Sequence, residues 1–408
     1  MTKENLSDTK NAWLLVVVAA LGYFVDIYDL VIFSIVRVQS FQDIGIPEAE
    51  MRTDGEYVLN MQMGGLLLGG LLWGVMGDKV GRIKVLFGSI LLYSLANIAN
   101  GFVNDIHSYA LIRFVAGVGL AGELGAGITL VSETMNKDKR GYGTMIVASV
   151  GVLGAVAAYY ISELFDWRNA YFAGGAMGLL LLILRVGTFE SGMFKGVANK
   201  QVEKGKLSML FTDKGRLKRY AYCLLIGLPI WFVVGILVTQ APEFGKALGA
   251  PVTLSAGKGI LFTYLGLSLG DVLAGLFAQI TKSRRLAVFL FQLLIIATSI
   301  WYLSSDGLTE QRFHWIAFFM GIAIGYWATF VTIASEQFGT NLRATVTTTA
   351  PNFVRGALIP STLLFEFFVR RSDIITAAYI MIFLLTGIAI FAISQLKESF
   401  NRDLDFVE

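Results

Sequence analysis

The chain has 408 residues, 55% of them hydrophobic and only 15% charged, with a mean hydropathy of +0.65 and a net charge of +3. Charges gather in short patches between long apolar stretches, which excludes a soluble globular domain or a nucleic-acid-binding protein and points to an all-α membrane protein. One cysteine, Cys223, and two histidines, His107 and His314, are too few for a disulfide framework or a metal-ligand cluster, so neither metal nor cofactor is expected.

Met1 to Asn11 carries Lys3, Glu4, Asp8 and Lys10 ahead of an apolar segment longer than a signal-peptide core, so no cleaved leader is expected. Apolar runs of about 20 residues, bounded by charge or turn signals, predict twelve crossings. In the first half they are Ala12 to Val38, Tyr57 to Met76, Val85 to Phe102, Ser108 to Ser132, Tyr142 to Leu164 and Ala170 to Gly187. The second half gives Tyr220 to Gln240, Ser255 to Ile280, Leu286 to Ser304, Phe313 to Ser335, Ala344 to Val369 and Ile374 to Leu396. Between them, residues 188–219 form a basic polar linker, so the expected domains are 1–187 and 220–408, two bundles of six helices each. With both termini cytoplasmic, roughly 22 Lys and Arg fall in inside loops and roughly 6 in outside loops, the bias that positive-inside topology requires.

The second and third crossings are joined by Gly77-Asp78-Lys79-Val80-Gly81-Arg82-Ile83-Lys84, a polar run short enough only to turn the chain back. It resembles the corresponding loop of the major facilitator superfamily, roughly G-x-x-x-D-R-x-G-R-[RK]. Asp78 and Lys79 stand where that pattern has Asp-Arg, and Gly81 and Arg82 match it. The resemblance implies a conformational latch at Gly77, Asp78, Lys79, Gly81 and Arg82, completed by Glu133 and Arg140. In the second half the corresponding loop, Gln279 to Arg285, keeps its basic residues but not the Gly-Asp-x-x-Gly pattern.

An ionisable side chain at mid-membrane costs several kcal/mol and is a functional hypothesis by default. Asp26, Asp29, Glu123 and Asp271 qualify among the acids, Arg113 and Arg355 among the bases. Asp26 and Asp29, three residues apart, share a helix face where both cannot ionise cheaply, which suits a proton carrier; the alternative is that one of them pairs with Arg113 or Arg37. The segment Val25 to Phe33 resembles the first-helix signature of proton-coupled symporters of the superfamily, roughly D-G-x-D in the aromatic-acid branch, with Ile27 in place of the Gly. A second stretch, Arg113-Phe-Val-Ala-Gly117-Val-Gly119-Leu-Ala-Gly122-Glu123, resembles the fourth-helix pattern R-x-x-x-G-x-x-x-G-G-E. Ser335 to Thr345 is similar to the E-x-F-P-T-x-x-R-A-T that joins helices ten and eleven, with Gly339 in place of the Pro.

The expected protein is a proton-coupled symporter working by alternating access in a bacterial-type inner membrane, with protons, a small solute and the lipid bilayer as its partners and a monomer as its state. Asp26, Asp29 and Glu123 would carry protons. Arg355 and Arg113 would hold a solute carboxylate, among Tyr28, Gln62, Trp231, Tyr264, Trp327 and Asn352. That favours an organic acid, amino acid or zwitterionic osmolyte. Because buried acids outnumber buried arginines, a proton-driven antiporter of organic cations is the alternative, and a non-transporting sensor a further one. No phosphate-binding G-x-x-x-x-G-K-[ST] and no nucleophile beside a base is present, so an enzyme or ATP-driven pump is not expected.

Overall fold

The computed structural model describes residues 3–80, 82–122, 137–190 and 208–400, and among these every regular element is helical. In chain order they are α1 (Lys3–Asp43), α2 (Met51–Val80), α3 (Arg82–Asn100), α4 (Ile106–Leu120), α5 (Lys137–Leu164), α6 (Trp167–Glu190), α7 (Ser208–Thr212), α8 (Lys214–Leu225), α9 (Leu228–Phe232), α10 (Ala241–Ala247), α11 (Ala256–Thr281), α12 (Arg284–Leu303), α13 (Glu310–Ile324), α14 (Trp327–Glu336), α15 (Thr340–Gly356), α16 (Leu358–Val369) and α17 (Ile374–Gln395). Eight helical spans among the described residues are long and apolar enough to cross a bilayer.

Two expectations need correction. The polar segment expected ahead of the first helix is itself helical from Lys3, while the span long and apolar enough to cross a bilayer begins at Val16. The turn expected over Gly77 to Lys84 is helical up to Val80 and again from Arg82. Gly81, Glu123 and Glu133 lie outside the described residues, and so, beyond their place in a helix, do Gly77, Asp78, Lys79, Arg82 and Arg140.

Capping sets several helix starts. Asp105 accepts the Ser108 amide at 2.9 Å, a bond that holds its carboxyl below the ordinary range. Asp373 is held down likewise, by the Thr376 hydroxyl and then by the first amides of α17.

Helices in the first part of the chain pack as α1 along α5, α2 along α4, and α3 against α4 and α6. In the second part α11 lies along α13 and α12 along α17. Small residues bring the axes close in the same way twice. A Cβ on Gly65 would collide with the Phe114 carbonyl and one on Gly117 with the Gln62 carbonyl. In the later pair, Gly266 meets the Phe318 carbonyl and Gly321 the Thr263 carbonyl. The α2–α4 and α11–α13 pairs thus share one contact design, a repeat that side-chain identities had largely erased. Between the two groups, α11 packs on α5 and α1, while α15 and α16 pack on α2.

Three spans of the second part are broken midway, each for a local reason. Pro229 lacks an amide hydrogen and cannot continue α8, so α9 starts afresh at Leu228 and passes into a π-helical segment, Val233–Val238. Pro360 stands four residues after Gly356, where α15 stops and α16 takes over. Between α13 and α14 the break falls at Gly325 and Tyr326, where Gly325 lies so close to Gly270 that a Cβ would strike backbone. Asp271 of α11 caps the second half-helix there, accepting the Ala328 amide at 2.9 Å. This acid, expected at mid-membrane as a functional group, has a structural task.

Candidate functional site

The three breaks converge on Arg355. It sits in the last turn of α15, Trp231 in α9 and Trp327 at the start of α14. The guanidinium carbon is 5.7 Å from the centroid of each indole, and the two indoles meet edge to face at 6.4 Å and 78°. Arg355 is 1% exposed, yet its Nε and Nη1 make no hydrogen bond, nor does Nε1 of Trp231. A buried guanidinium with N–H groups unsatisfied is costly, and an anion brought against it lowers that cost.

The break residues are stitched together behind this cage. The Ile226 carbonyl, freed by the end of α8, accepts the Tyr326 hydroxyl at 2.8 Å, and Gln292 donates to that hydroxyl at 2.8 Å. Such bonds fix Trp231 and Trp327 relative to each other without using either indole.

Tyr23 and Tyr264 complete the cluster from α1 and α11. Tyr23 lies in electrostatic range of Arg355, Asp26, Asp271 and Tyr264, and Tyr264 in range of Arg355 and Asp26. Asp26, 1% exposed, therefore belongs to the interface between the two groups of helices.

Asp29 belongs elsewhere. It is fully buried, and a Cβ on Gly174 of α6 would approach its Oδ1 to 2.7 Å. Arg113 donates to the Asp29 backbone carbonyl at 2.7 Å, to Asn97 Oδ1 at 3.0 Å and to Gln62 Oε1 at 3.3 Å, with the Tyr171 ring centroid 5.5 Å away. Gln62 is itself held by donating to the Leu30 carbonyl at 3.1 Å. Arg113 is thus bound by groups of the first part of the chain and is a neighbour of Asp29, not a second grip on the group that Arg355 would take. Tyr28 donates to the Ala170 carbonyl at 2.7 Å and is fully buried, so its hydroxyl is a packing contact. Asn352 donates to the Ala121 carbonyl at 3.0 Å, joining α15 to the end of α4.

A network at the Asp43 end of α1, absent from the sequence expectation, ties the two groups together. Arg37 makes a two-pronged pair with Glu243, at 2.7 and 2.8 Å, and donates to the Met51 and Thr239 carbonyls. Arg52 pairs with Glu366, and Gln240 donates to Glu56 at 2.6 Å. The π-helical segment brings Thr239 and Gln240 to this position. Nearby, Lys246 pairs with Glu48 and holds that carboxyl below its ordinary range. Arg37 is 1% exposed, so removing Glu243 alone strands a buried charge. Arg37→Glu is expected to reduce transport at least tenfold, about 1.4 kcal/mol of the several that such a stranded charge costs. The exchange Arg37→Glu with Glu243→Arg is expected to restore part of it, as measured by initial uptake rates.

The chain matches the family profile described as Major Facilitator Superfamily over residues 15–360. NiaP of Bacillus subtilis (strain 168), whose name proposes niacin/nicotinamide transport, is 27% identical over 362 residues, covering 85% of this chain and 87% of that one. The sialic acid transporter NanX of Escherichia coli (strain K12) is 29% identical over 267 residues, covering 62% and 64%. Among solved structures, the xylose transporter XylE from E. coli, in a partially occluded inward open conformation, superposes with a TM-score of 0.72 at 16% identity, covering 97% of this chain and 100% of that one. That likeness shows a common fold. With the family match extending over most of its length, the chain belongs to the major facilitator superfamily and is a multi-pass membrane transporter, not an enzyme.

Proposed function

We propose that the protein is a proton-coupled symporter for a small monocarboxylate that carries a flat ring. The observation that carries this reading is Arg355, buried between two indole rings with its Nε and Nη1 unbonded. A carboxylate would take the free N–H groups of Arg355 and a planar ring would lie along the indoles. The names of similar proteins support a solute of this kind: besides niacin, they include benzoate and 4-hydroxybenzoate.

In this reading twelve crossings form two six-helix halves, residues 1–187 and 220–408, joined by the cytoplasmic linker 188–219, with both termini cytoplasmic and the protein a monomer. The Asp43 end of α1 then faces outward. The ion pairs Arg37–Glu243 and Arg52–Glu366 close that side, so the solute leaves toward the cytoplasm from this state.

Coupling follows from charge. While Asp26 is ionised it competes for Arg355, and a proton on Asp26 frees that fork for the solute; the two ligands therefore bind better together than apart. Asp29, beside Arg113, is the second buried acid of α1 and in this reading the other group whose uptake and release of a proton accompanies transport. The direction of linkage is fixed: lower pH on the solute side favours solute binding.

Counterflow into proteoliposomes preloaded with nicotinate tests the solute class. Benzoate and nicotinate are expected to exchange, and nicotinamide, which has the ring without the charge, is not. Equal exchange of nicotinamide would contradict a carboxylate on Arg355.

A further inference from the structure

Trp231 has one polar atom that the fold leaves idle. The residue is 6% exposed, and its Nε1 makes no hydrogen bond. Elsewhere in the protein an enclosed indole finds an acceptor: Trp73 donates to the Val118 carbonyl at 2.6 Å and Trp167 to Asp43 Oδ2 at 3.2 Å. A desolvated N–H without a partner costs stability, and packing alone does not require one, since a phenylalanine ring carries no such donor.

Two more idle donors stand close by. Arg355 Nε and Nη1 are also buried and unbonded, and the guanidinium carbon is 5.7 Å from the Trp231 ring centroid. Two N–H groups that share one oxygen acceptor have their nitrogens about 5 Å apart, so a single carboxylate oxygen can span the guanidinium and the indole nitrogen. A carboxylate has about four acceptor positions, enough for all three donors. The solute ring suits the indole nitrogen less well: with the carboxylate on Arg355, a ring nitrogen at the meta or para position turns its lone pair away from Arg355 and its neighbours. The two indoles then have different tasks. An indole N–H lies in the plane of its ring, so an indole that donates to the carboxylate meets the solute with its edge. Trp327, turned 78° from Trp231 with the centroids 6.4 Å apart, is left to present its face to the solute ring. Each is set by a separate discontinuity, Trp231 by the fresh start of α9 at Pro229 and Trp327 by the break at Gly325.

We propose that Trp231 is a third donor to the solute carboxylate, its N–H completing the grip of Arg355 Nε and Nη1, while Trp327 alone stacks on the solute ring. This role deepens the carboxylate reading of the site and rests on it. It also sets specificity. A carboxamide presents an NH2 group where a carboxylate presents an acceptor, so one of the three donors would face hydrogens in place of a lone pair. The grip is on the acid group, whatever ring stands behind it, and the choice of ring falls to Trp327.

Calorimetric titration of the purified protein with benzoate and with cyclohexanecarboxylate, an acid of similar size without a flat ring, separates the two roles. Trp231→Phe is expected to weaken both acids by the same factor, about tenfold, the effect of one lost hydrogen bond to a charged group. Trp327→Leu is expected to weaken benzoate about fivefold more than cyclohexanecarboxylate, since only the flat ring stacks. A larger loss for benzoate than for cyclohexanecarboxylate in Trp231→Phe would make Trp231 a stacking surface and overturn the third donor. The indole N–H resonances of isotope-labelled protein give a direct readout. Saturating benzoate is expected to move one of them downfield, the one lost in Trp231→Phe or, should that variant not fold, in Trp231→Tyr. A Trp231 signal that stays in place in protein saturated with benzoate also overturns the proposal. Failure of benzoate to bind the unmodified protein, or an unchanged benzoate affinity in Arg355→Ala, overturns instead the carboxylate reading itself.

Discussion

Arg355→Ala is expected to lower the apparent affinity for nicotinate about 100-fold, because a charge-assisted pair on a desolvated guanidinium contributes about 3 kcal/mol. Arg355→Lys keeps the charge but loses the planar fork and its stacking on Trp231 and Trp327, and about a tenfold loss is expected. Purified protein titrated with nicotinate by calorimetry gives both values. The ordering of the two variants matters more than their size. Equal losses would mean that the fork geometry is irrelevant, and no loss would remove Arg355 from the site.

Asp29→Asn is expected to abolish accumulation driven by a pH gradient while sparing counterflow, which needs no net proton movement. The neutral amide imitates the protonated acid at that position, so the conformational change of exchange is still allowed while no proton is taken up or released there. Asp26→Asn should behave differently. With its charge gone, Arg355 has lost its competitor, and nicotinate binding is expected to stay tight and to become flat with pH, where the unmodified protein binds more weakly as pH rises. If both variants lost counterflow as completely as accumulation, the two acids would be structural supports, not titrating groups.

Much of the fold was legible in the sequence because it follows from one-dimensional signals. Runs of apolar residues locate the spans, and Pro229 and Pro360 are visible causes of the breaks in two of them. The third break, at Gly325, has no proline; it depends on the approach of Gly270 and the cap from Asp271, which come from another helix. Asp26 and Asp29 were expected on one face, yet the interface receives Asp26 while Asp29 turns toward Arg113 and Gly174. Three residues are 300° of helix at ideal geometry, enough for neighbouring helices to divide the pair. The gate was illegible for a plainer reason: Arg37 and Glu243 are 206 residues apart, and nothing local to either marks the other. Arg113 and Arg355 looked equivalent as lone membrane cations, and only the neighbours distinguish them: Asn97, Gln62 and a backbone carbonyl for the one, two indoles for the other.

Solute transport through this protein should move hydrogen ions in the same direction as the solute. In lightly buffered proteoliposomes with equal pH on both sides, adding nicotinate outside is expected to make the external medium more alkaline as the solute enters, and the change should vanish in Asp29→Asn. Nicotinate uptake at the full rate with no change in external pH would contradict a proton-coupled mechanism and leave the buried acids of α1 without a part in transport.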